Sequence, residues 1–243
     1  MFSEIILSIF QAATEFFPVS SSGHLALISN LISQPNLFFF TMLHIASLFA
    51  ILIFTRNEIK SLFKFDENAR KMWLYLIIAT IPALIFGYFF SGLITSSLYS
   101  LLFLGGAFIF TGFILLMTKF AKPGGKLTAN SSLFIGLFQV LALFPGVSRS
   151  GMTISAGLFS GVEKEKATKF SFLLFIPLAL GAFVFELGEF YIDFTLILAF
   201  LITFFLSIFF LNLLLKVVKL GKIWWFSIYC FLIGIISLIF HFV

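Results

Sequence analysis

The chain has 243 residues, of which 61% are hydrophobic and only 10% are charged. Soluble domains contain about 45–50% apolar and about 25% charged residues, so this composition excludes a soluble globular fold. The net charge of +5 is spread over several short segments instead of clustering on one face. No nucleic-acid partner is therefore expected.

Eight apolar segments predict the main helices. A helix needs about 20 mostly apolar residues to cross a membrane. Six segments are long enough, and in chain order they are 37–54, 72–90, 98–118, 170–187, 194–215 and 223–240. Two others, 2–17 and 133–144, are too short, and each runs into a segment rich in Pro, Gly and Ser. Such helices are typical of re-entrant segments, which enter the membrane and return to the same side.

The basic residues indicate which loops face the cytoplasm, because Lys and Arg are concentrated in cytoplasmic loops. All 15 of them except Arg149 lie in four segments, which are 55–71, 119–132, 161–169 and 216–222. The four segments reach the same side only if residues 133–161 form a re-entrant hairpin. The same reasoning makes residues 1–32 a second re-entrant hairpin and places both termini outside.

The two hairpins are also similar in sequence. A shift of 128 residues aligns Phe10, Gln11, Val19, Ser20, Ser22 and Gly23 with Phe138, Gln139, Val147, Ser148, Ser150 and Gly151. Because the hairpins enter from opposite sides, this pattern predicts an inverted-topology repeat whose broken helices meet near the middle of the membrane. Chance similarity between two Phe-rich segments is the alternative.

The predicted fold is a single membrane domain over residues 1–243. It is an all-α polytopic membrane protein with six transmembrane helices and two re-entrant hairpins in an inverted-topology repeat. Repeat 1 covers about 1–118, and repeat 2 covers about 133–240.

Nearly all the polar side chains outside the loops lie in the two hairpins. A charged residue at the centre of a membrane helix costs about 2.5–3.5 kcal/mol, so this concentration favours a functional site. Gln11 and Glu15 share one helix face and could hold a divalent cation or a water, although Gln11 could instead make a packing hydrogen bond. His24 follows three serines that could bind an anion at a helix start. One serine would serve as an N-cap, and a structural role is the alternative for His24.

Arg149 is the only basic residue outside the loops. Its planar guanidinium suits phosphate, and Ser148, Ser150 and Thr153 would add hydrogen-bond donors around it. An Arg149–Glu15 ion pair that holds the hairpins together is the alternative, and the two roles are compatible. Together the polar residues indicate binding, and hydrolysis, of the phosphate of an anionic lipid. His44 lies within a predicted span and is interpreted as a packing or supporting residue.

Two motifs occur in order with a suitable spacing. The sequence QAATE at 11–15 runs into PVSSSGH at 18–24, and PGVSRSGMT follows at 145–153. At these residues the chain resembles the bacterial undecaprenyl-diphosphate phosphatase family, the BacA/UppP type, and the similar layout extends over nearly the whole chain. The resemblance implies hydrolysis of undecaprenyl diphosphate to undecaprenyl phosphate and inorganic phosphate. That activity recycles the lipid carrier for cell-wall synthesis and confers bacitracin resistance.

The resemblance also implies roles for individual residues. Glu15 would handle a metal ion or water with Gln11 in support, and Ser21 and His24 would be the nucleophile or an acid–base pair. Arg149 would bind the diphosphate and offset charge in the transition state. The residues expected to bind phosphate are Ser20, Ser22, Ser148, Arg149, Ser150 and Thr153.

The family resemblance further implies a cofactor, a substrate and a location. A divalent cation, Mg²⁺ or Ca²⁺, is expected at Gln11 and Glu15. The expected substrate is a polyprenyl diphosphate lipid, and the protein would lie among the lipids of the bacterial plasma (inner) membrane. The sequence is also compatible with a homodimer.

Two other classes of membrane protein share parts of this pattern. Type 2 phosphatidic acid phosphatases use an SGH and an SR segment, but they need a histidine six residues after the arginine, where this chain has Ser155. That family is therefore excluded. A carrier that flips undecaprenyl phosphate would also use an inverted repeat with a phosphate site, as its sole or second activity. Because a carrier has less need of Glu15 and His24, hydrolysis is the favoured hypothesis.

Overall fold

The computed structural model describes residues 2–29, 37–64, 66–98, 100–185 and 193–242. The regular secondary structure of these residues is helical apart from one isolated β-bridge. The α-helices in the described ranges are α1 Phe2–Phe16, α2 Ser21–Ser29, α3 Leu37–Phe54, α4 Arg56–Leu62, α5 Glu67–Phe89, α6 Ser91–Ser97, α7 Leu101–Met117, α8 Ala129–Leu141, α9 Arg149–Phe159, α10 Lys164–Phe185, α11 Phe194–Lys219 and α12 Phe226–Phe242. The prediction of an all-α protein is confirmed.

Four of the described helices are long and apolar enough to cross a membrane: α5, α7, α11 and α12, with α7 and α12 each extended by a short 3-10 turn. A fifth candidate is the pair α3 and α4, which bends by 73° at Thr55. The described parts of all six predicted spans lie mainly on helices. Residue 99 of the span 98–118, the last two residues of the span 170–187 and the acidic loop that follows lie outside the described residues. The chain is thus a multi-pass membrane protein with four or five candidate spans in its described part.

Helix α5 shows why apolar stretches and helices differ in their bounds. The apolar stretch begins at residue 72, whereas the helix begins at Glu67. The carboxylate of Asp66 accepts a hydrogen bond from the Ala69 N–H at 2.7 Å and so caps the helix. A polar first turn, with an ion pair of 2.6 Å between Lys71 and Glu67, therefore precedes the apolar part.

The second hairpin, made of α8 and α9, begins and ends at the same place. The N–H groups of Gly124 and Gly125 both donate to the Gly161 carbonyl, at 3.0 and 2.7 Å. The Glu163 N–H in turn donates to the Gly125 carbonyl at 3.0 Å. The segment before α8 thus lies against the segment after α9.

The turns of the two hairpins have matching hydrogen bonds. In the first, Ser20 Oγ accepts from the Gly23 N–H at 3.3 Å, and in the second, Ser148 Oγ accepts from the Gly151 N–H at 3.1 Å. In each hairpin the same hydroxyl lies near the hydroxyl of the serine two residues later, at 3.4 and 3.2 Å. Residues that the sequence aligned therefore occupy equivalent positions.

The helices of the two halves pack across each other: α1 lies along α11, α8 along α5, and α7 along α12. Ion pairs join three of the four basic segments, and the fourth, 119–132, meets 161–169 through the hydrogen bonds of Gly125 described above. Lys169 pairs with Glu58 at 2.7 Å, which links α10 to α4, and Lys219 pairs with Glu165 at 2.7 Å, which links α11 to α10. Large apolar side chains cover the outward helix faces, as in a surface that meets lipid.

Candidate active site

The turns of the two hairpins touch near the centre of the helix bundle. Ser150 Oγ donates to the Phe17 carbonyl at 3.3 Å, which joins one turn to the other. Thr111 on α7 supports the second turn, because its hydroxyl donates to the Gly146 carbonyl at 3.1 Å and accepts from the Ser148 N–H at 3.2 Å. The turn before α2 and the turn before α9 are therefore in contact. Helix N-termini carry a partial positive charge, which suits a phosphate group.

Four polar side chains surround the carboxylate of Glu15. Its Oε2 accepts hydrogen bonds from Gln11 Nε2 and from Ser21 Oγ, both at 2.8 Å. Its Oε1 accepts from Arg149 Nη2 at 3.2 Å, and His44 Nε2 lies 3.6 Å from Oε2. Only 6% of the Glu15 side chain is exposed, so these groups replace the water that a buried carboxylate loses.

Arg149 is held on several sides. Besides its ion pair with Glu15, its Nη1 donates to the Ser171 carbonyl at 3.4 Å, and its guanidinium lies 4.2 Å from the centre of the Phe175 ring. The Arg149–Glu15 ion pair weighed from the sequence is therefore present, and it joins α9 to α1. An arginine fixed in this way presents its remaining N–H groups in one defined orientation.

Most hydroxyls predicted to bind phosphate are buried and already hydrogen-bonded. Ser20, Ser148 and Ser150 are at most 3% exposed and make the turn contacts described above. Thr153 is fully buried, donates to the Arg149 carbonyl at 2.8 Å and lies 2.6 Å from Ser171 Oγ. These four side chains shape the turns. Of the predicted serines, Ser21 is half-buried and Ser22 is exposed.

His24 lies beside the site but is not bonded to Glu15 in the part of the chain that the structure describes. Its Nδ1 is 2.7 Å from the Ser20 carbonyl, and its Nε2 is 2.8 Å from the hydroxyl of Tyr229 on α12. The rings of His24 and Tyr229 stack at 5.6 Å. Both ring nitrogens of His24 are thus engaged by groups other than Glu15.

Three residues that contact the site were missed in the sequence, and a fourth, His44, was interpreted only as a packing or supporting residue. Thr111, Ser171 and Tyr229 are polar residues within long apolar segments. His44 was recognised as a polar residue within a span, but its contact with Glu15 brings it into the site. An isolated polar side chain in a span was the available signal for all four.

The predicted cation ligands, Gln11 and Glu15, fit a cation that is shared with a substrate. Among the described residues no group of three or more His, Cys, Asp or Glu side chains could hold a metal ion. Glu15 offers one carboxylate, and Gln11 Oε1 is a buried oxygen without a hydrogen-bond partner among the residues that the structure describes. Mg²⁺ is usually held by one or two carboxylates together with substrate phosphates, so these two residues suit a cation bound along with a diphosphate.

Comparisons with known proteins match nearly the whole length of the chain. The family model described as bacitracin resistance protein BacA matches residues 4–236. The undecaprenyl-diphosphatase of Thermosipho africanus is 39% identical, with 97% of this chain and 98% of that protein covered. The undecaprenyl-diphosphatases of Methanococcus vannielii and Desulforapulum autotrophicum are 39% and 36% identical, covering 94% and 100% of this chain and 95% and 99% of those proteins.

Proposed function

Because the chain belongs to the bacitracin resistance protein BacA family, we propose that it hydrolyses undecaprenyl diphosphate to undecaprenyl phosphate and inorganic phosphate. The substrate is the one named for its relatives, and the reactive groups are the side chains of the site described above. One observation carries the proposal: Ser21 Oγ donates to Glu15 Oε2 at 2.8 Å. This is the contact expected between a nucleophile and its base. A carrier that only moves a lipid needs no such pair, so the contact favours hydrolysis over transport.

The reaction uses Ser21 as nucleophile and Glu15 as base. Ser21 Oγ forms a bond to the terminal phosphorus, and its proton passes to Glu15. The bond between that phosphorus and the bridging oxygen breaks, and its electron pair leaves with undecaprenyl phosphate. A water oxygen then forms a bond to the phosphorus while the bond from phosphorus to Ser21 Oγ breaks. The protonated Glu15 returns its proton to Ser21 Oγ, and the water protons leave with inorganic phosphate.

Arg149 offsets the negative charge that develops on the transferred phosphate. Its guanidinium bonds to Oε1 of Glu15, whereas Ser21 bonds to Oε2 of the same carboxylate. Substrate phosphate competes with Glu15 for the guanidinium and frees the carboxylate to take the proton. The first turns of α2 and α9 add N–H groups with partial positive charge. The N-cap serines Ser20 and Ser148 keep those turns in place.

A divalent cation at Gln11 and Glu15 would supply further charge neutralisation on the diphosphate when bound. Gln11 Nε2 orients Glu15 through its 2.8 Å hydrogen bond. His24 stabilises the start of α2. It bonds to the Ser20 carbonyl, and it is linked to α12 by its hydrogen bond with Tyr229. Its role is to position Ser21, three residues earlier on the same helix.

The membrane arrangement that we propose has six spans, two re-entrant hairpins and an inverted-topology repeat. Two observations support this arrangement. Hydrogen bonds hold the segment before α8 against the segment after α9, and Ser20 and Ser148 make matching caps. The joined basic segments lie in the cytoplasm. Both termini and the first hairpin then face the periplasm or exterior. A homodimer stays a prediction.

Phosphate release by a Ser21→Ala variant tests the proposal. We expect turnover of undecaprenyl diphosphate to fall by at least about a thousandfold, because nucleophile and base act as a unit. Ser96→Ala, at an exposed serine on α6, is the matched control and should keep wild-type turnover. Full activity of Ser21→Ala in well-folded protein would remove Ser21 as nucleophile. Denatured wild-type protein quenched during turnover should carry a phosphoserine at Ser21.

A further inference from the structure

A cavity of about 550 Å³ lies between the turn of the first hairpin and the basic segment 216–222. Its lining includes Phe17 and Val19 from the turn, and Val217 and Lys222 from the basic segment. Cavities that hold small ligands have volumes of about 300–1,000 Å³. The cavity is therefore large enough for part of a lipid chain.

The lining of this cavity is apolar with one cation at its basic end. Of the described residues that line it, Lys222 alone is charged, and none is acidic. Lys222 Nζ lies 5.0 Å from the centre of the Trp225 ring, which also lines the cavity and is 55% exposed. Tryptophan and lysine side chains are typical of the level of the lipid headgroups. The cavity thus opens at that level beside an exposed ammonium group.

The second hairpin borders a comparable cavity with a different lining. It measures about 430 Å³, and every described residue that lines it is apolar. The aligned residues Ala13 and Leu141 line one cavity each, and so do the aligned residues Val19 and Val147. Both hairpins thus leave space for a hydrocarbon chain. Lys222 distinguishes the first cavity, because it adds a group that binds an anion.

We propose that the first cavity binds an anionic phospholipid of the cytoplasmic leaflet, with one acyl chain in the cavity and the phosphate at Lys222. Anionic lipids of that leaflet attract lysines close to the membrane surface. The choice of leaflet rests on the proposed membrane arrangement, in which segment 216–222 faces the cytoplasm. Binding of the phospholipid is independent of hydrolysis, and its site is separate from the Glu15 site.

A lipid chain in this cavity would contact residues that hold the two hairpin turns. The Phe17 carbonyl accepts the hydrogen bond from Ser150, and the Phe17 ring lies 5.0 Å from the ring of Phe226. The hydroxyl of Tyr229, another lining residue, is 2.8 Å from His24 Nε2. A ligand that binds only the folded state stabilises it. The bound phospholipid therefore stabilises the packing of the two turns.

Quenching of tryptophan fluorescence by brominated lipids tests this site. The chain has three tryptophans. The full chain with Trp73→Phe and Trp224→Phe keeps Trp225, and the matched control with Trp224→Phe and Trp225→Phe keeps Trp73. Trp73 is 43% exposed and donates to the Leu62 carbonyl of the basic segment 55–71, so it reports general attraction of lipid to a basic segment. Both proteins are placed in phosphatidylcholine vesicles that contain a minor fraction of brominated phosphatidylglycerol or brominated phosphatidylcholine.

We expect brominated phosphatidylglycerol to bind at Trp225 about fivefold more tightly than brominated phosphatidylcholine, the difference that one lysine makes. Lys222→Gln should remove this preference. Lys126→Gln, at an exposed lysine of the basic segment 119–132, is the charge control and should keep it.

Three results would overturn the inference. They are equal quenching of Trp225 by the two lipids, a preference that survives Lys222→Gln, and an equal preference at Trp73. Displacement of the brominated phosphatidylglycerol by undecaprenyl phosphate, but not by unbrominated phosphatidylglycerol, would assign the cavity to a polyprenyl phosphate and overturn it as well.

Thermal unfolding in detergent gives a second measurement. Added phosphatidylglycerol should raise the melting temperature of the wild-type protein and of Lys126→Gln more than phosphatidylcholine does, and this difference should be absent in Lys222→Gln. Phosphate release from undecaprenyl diphosphate by the same samples separates the two proposals. Release without a lipid preference refutes the phospholipid site and leaves the hydrolase in place. A lipid preference without release refutes the hydrolase and keeps the phospholipid site.

Discussion

Replacing Gly23 by alanine tests how closely the two hairpins must approach. A Cβ atom at residue 23 would lie 2.7 Å from the tip of the Phe108 ring, and 2.8 and 2.9 Å from Cα and N of Gly146. Ordinary contacts begin at 3.4 Å, so these atoms must move by about 0.5–0.7 Å. The ring of Phe108 can rotate away. The Gly146 backbone cannot easily move, because it has a φ of +87° and its carbonyl is held by Thr111.

The expected result follows from where these residues lie. Gly23 is two residues from Ser21, and Gly146 is three residues from Arg149, so the shift separates Ser21 from Arg149. Overpacking of this kind costs about 1–3 kcal/mol of stability. A misplacement approaching 1 Å costs about 100-fold in rate. We therefore expect Gly23→Ala to lower the melting temperature and to reduce phosphate release by about tenfold to a hundredfold.

Purified protein in detergent is assayed for phosphate release and for thermal unfolding. Gly106→Ala on α7 is the matched control, because no atom would lie within 4 Å of its new Cβ. We expect this control to behave like the wild-type protein. Wild-type activity and stability in Gly23→Ala would show that the two turns are not in contact, and would refute the site as described.

Three further predictions concern the ion pairs and the topology. Arg149→Ala should abolish phosphate release. It should also cost about 3–5 kcal/mol of stability, because Glu15 is left buried without its charge partner. Adding Glu15→Gln to this variant should restore thermal stability but not phosphate release, and recovery of phosphate release would contradict the prediction. Hydrogen bonds from Lys219 and Lys169 lower the pKa of Glu165 to about 2 from 4.5, so Glu165 stabilises the fold above pH 4.5 and loses this effect as the pH falls towards 2. Glu165→Gln should therefore lower the melting temperature at neutral pH, and the difference from wild type should vanish on acidification; a constant difference would disprove the link. In a Cys230→Ser background, single cysteines at the exposed positions Asn130 and Lys166 should both react with a thiol reagent only from the cytoplasmic side. Labelling of the two positions from opposite sides would mean that the α8–α9 hairpin crosses the membrane.

The composition and the two motifs were sufficient to predict much of this protein. Polar residues are so costly in a membrane that their confinement to two short segments indicated where the site lies. The contact of Glu15 with Gln11 follows from a spacing of four residues on one helix. The Arg149–Glu15 ion pair follows because each is the main charged group of its hairpin.

Other features could not be read from the sequence. A serine near a helix start can bind a ligand or cap the helix, and only the structure shows that Ser20 and Ser148 form caps. The partner of His24 is Tyr229, 205 residues away in an apolar helix, so no local pattern reveals it. His44 appeared to be a packing residue because the relative rotation of α3 and α1, which aims its ring at Glu15, depends on packing of the whole bundle.

Phosphate release from undecaprenyl diphosphate by purified protein, with and without EDTA, is the most direct test of the account. Glu15→Gln is run alongside, and Glu4→Gln, the same exchange on the same helix, serves as its control. We predict release by the wild-type protein and by Glu4→Gln, inhibition of both by EDTA, and no release by Glu15→Gln. Absence of release from well-folded wild-type protein, or full release by Glu15→Gln, would contradict the assignment of this site as a phosphatase centre.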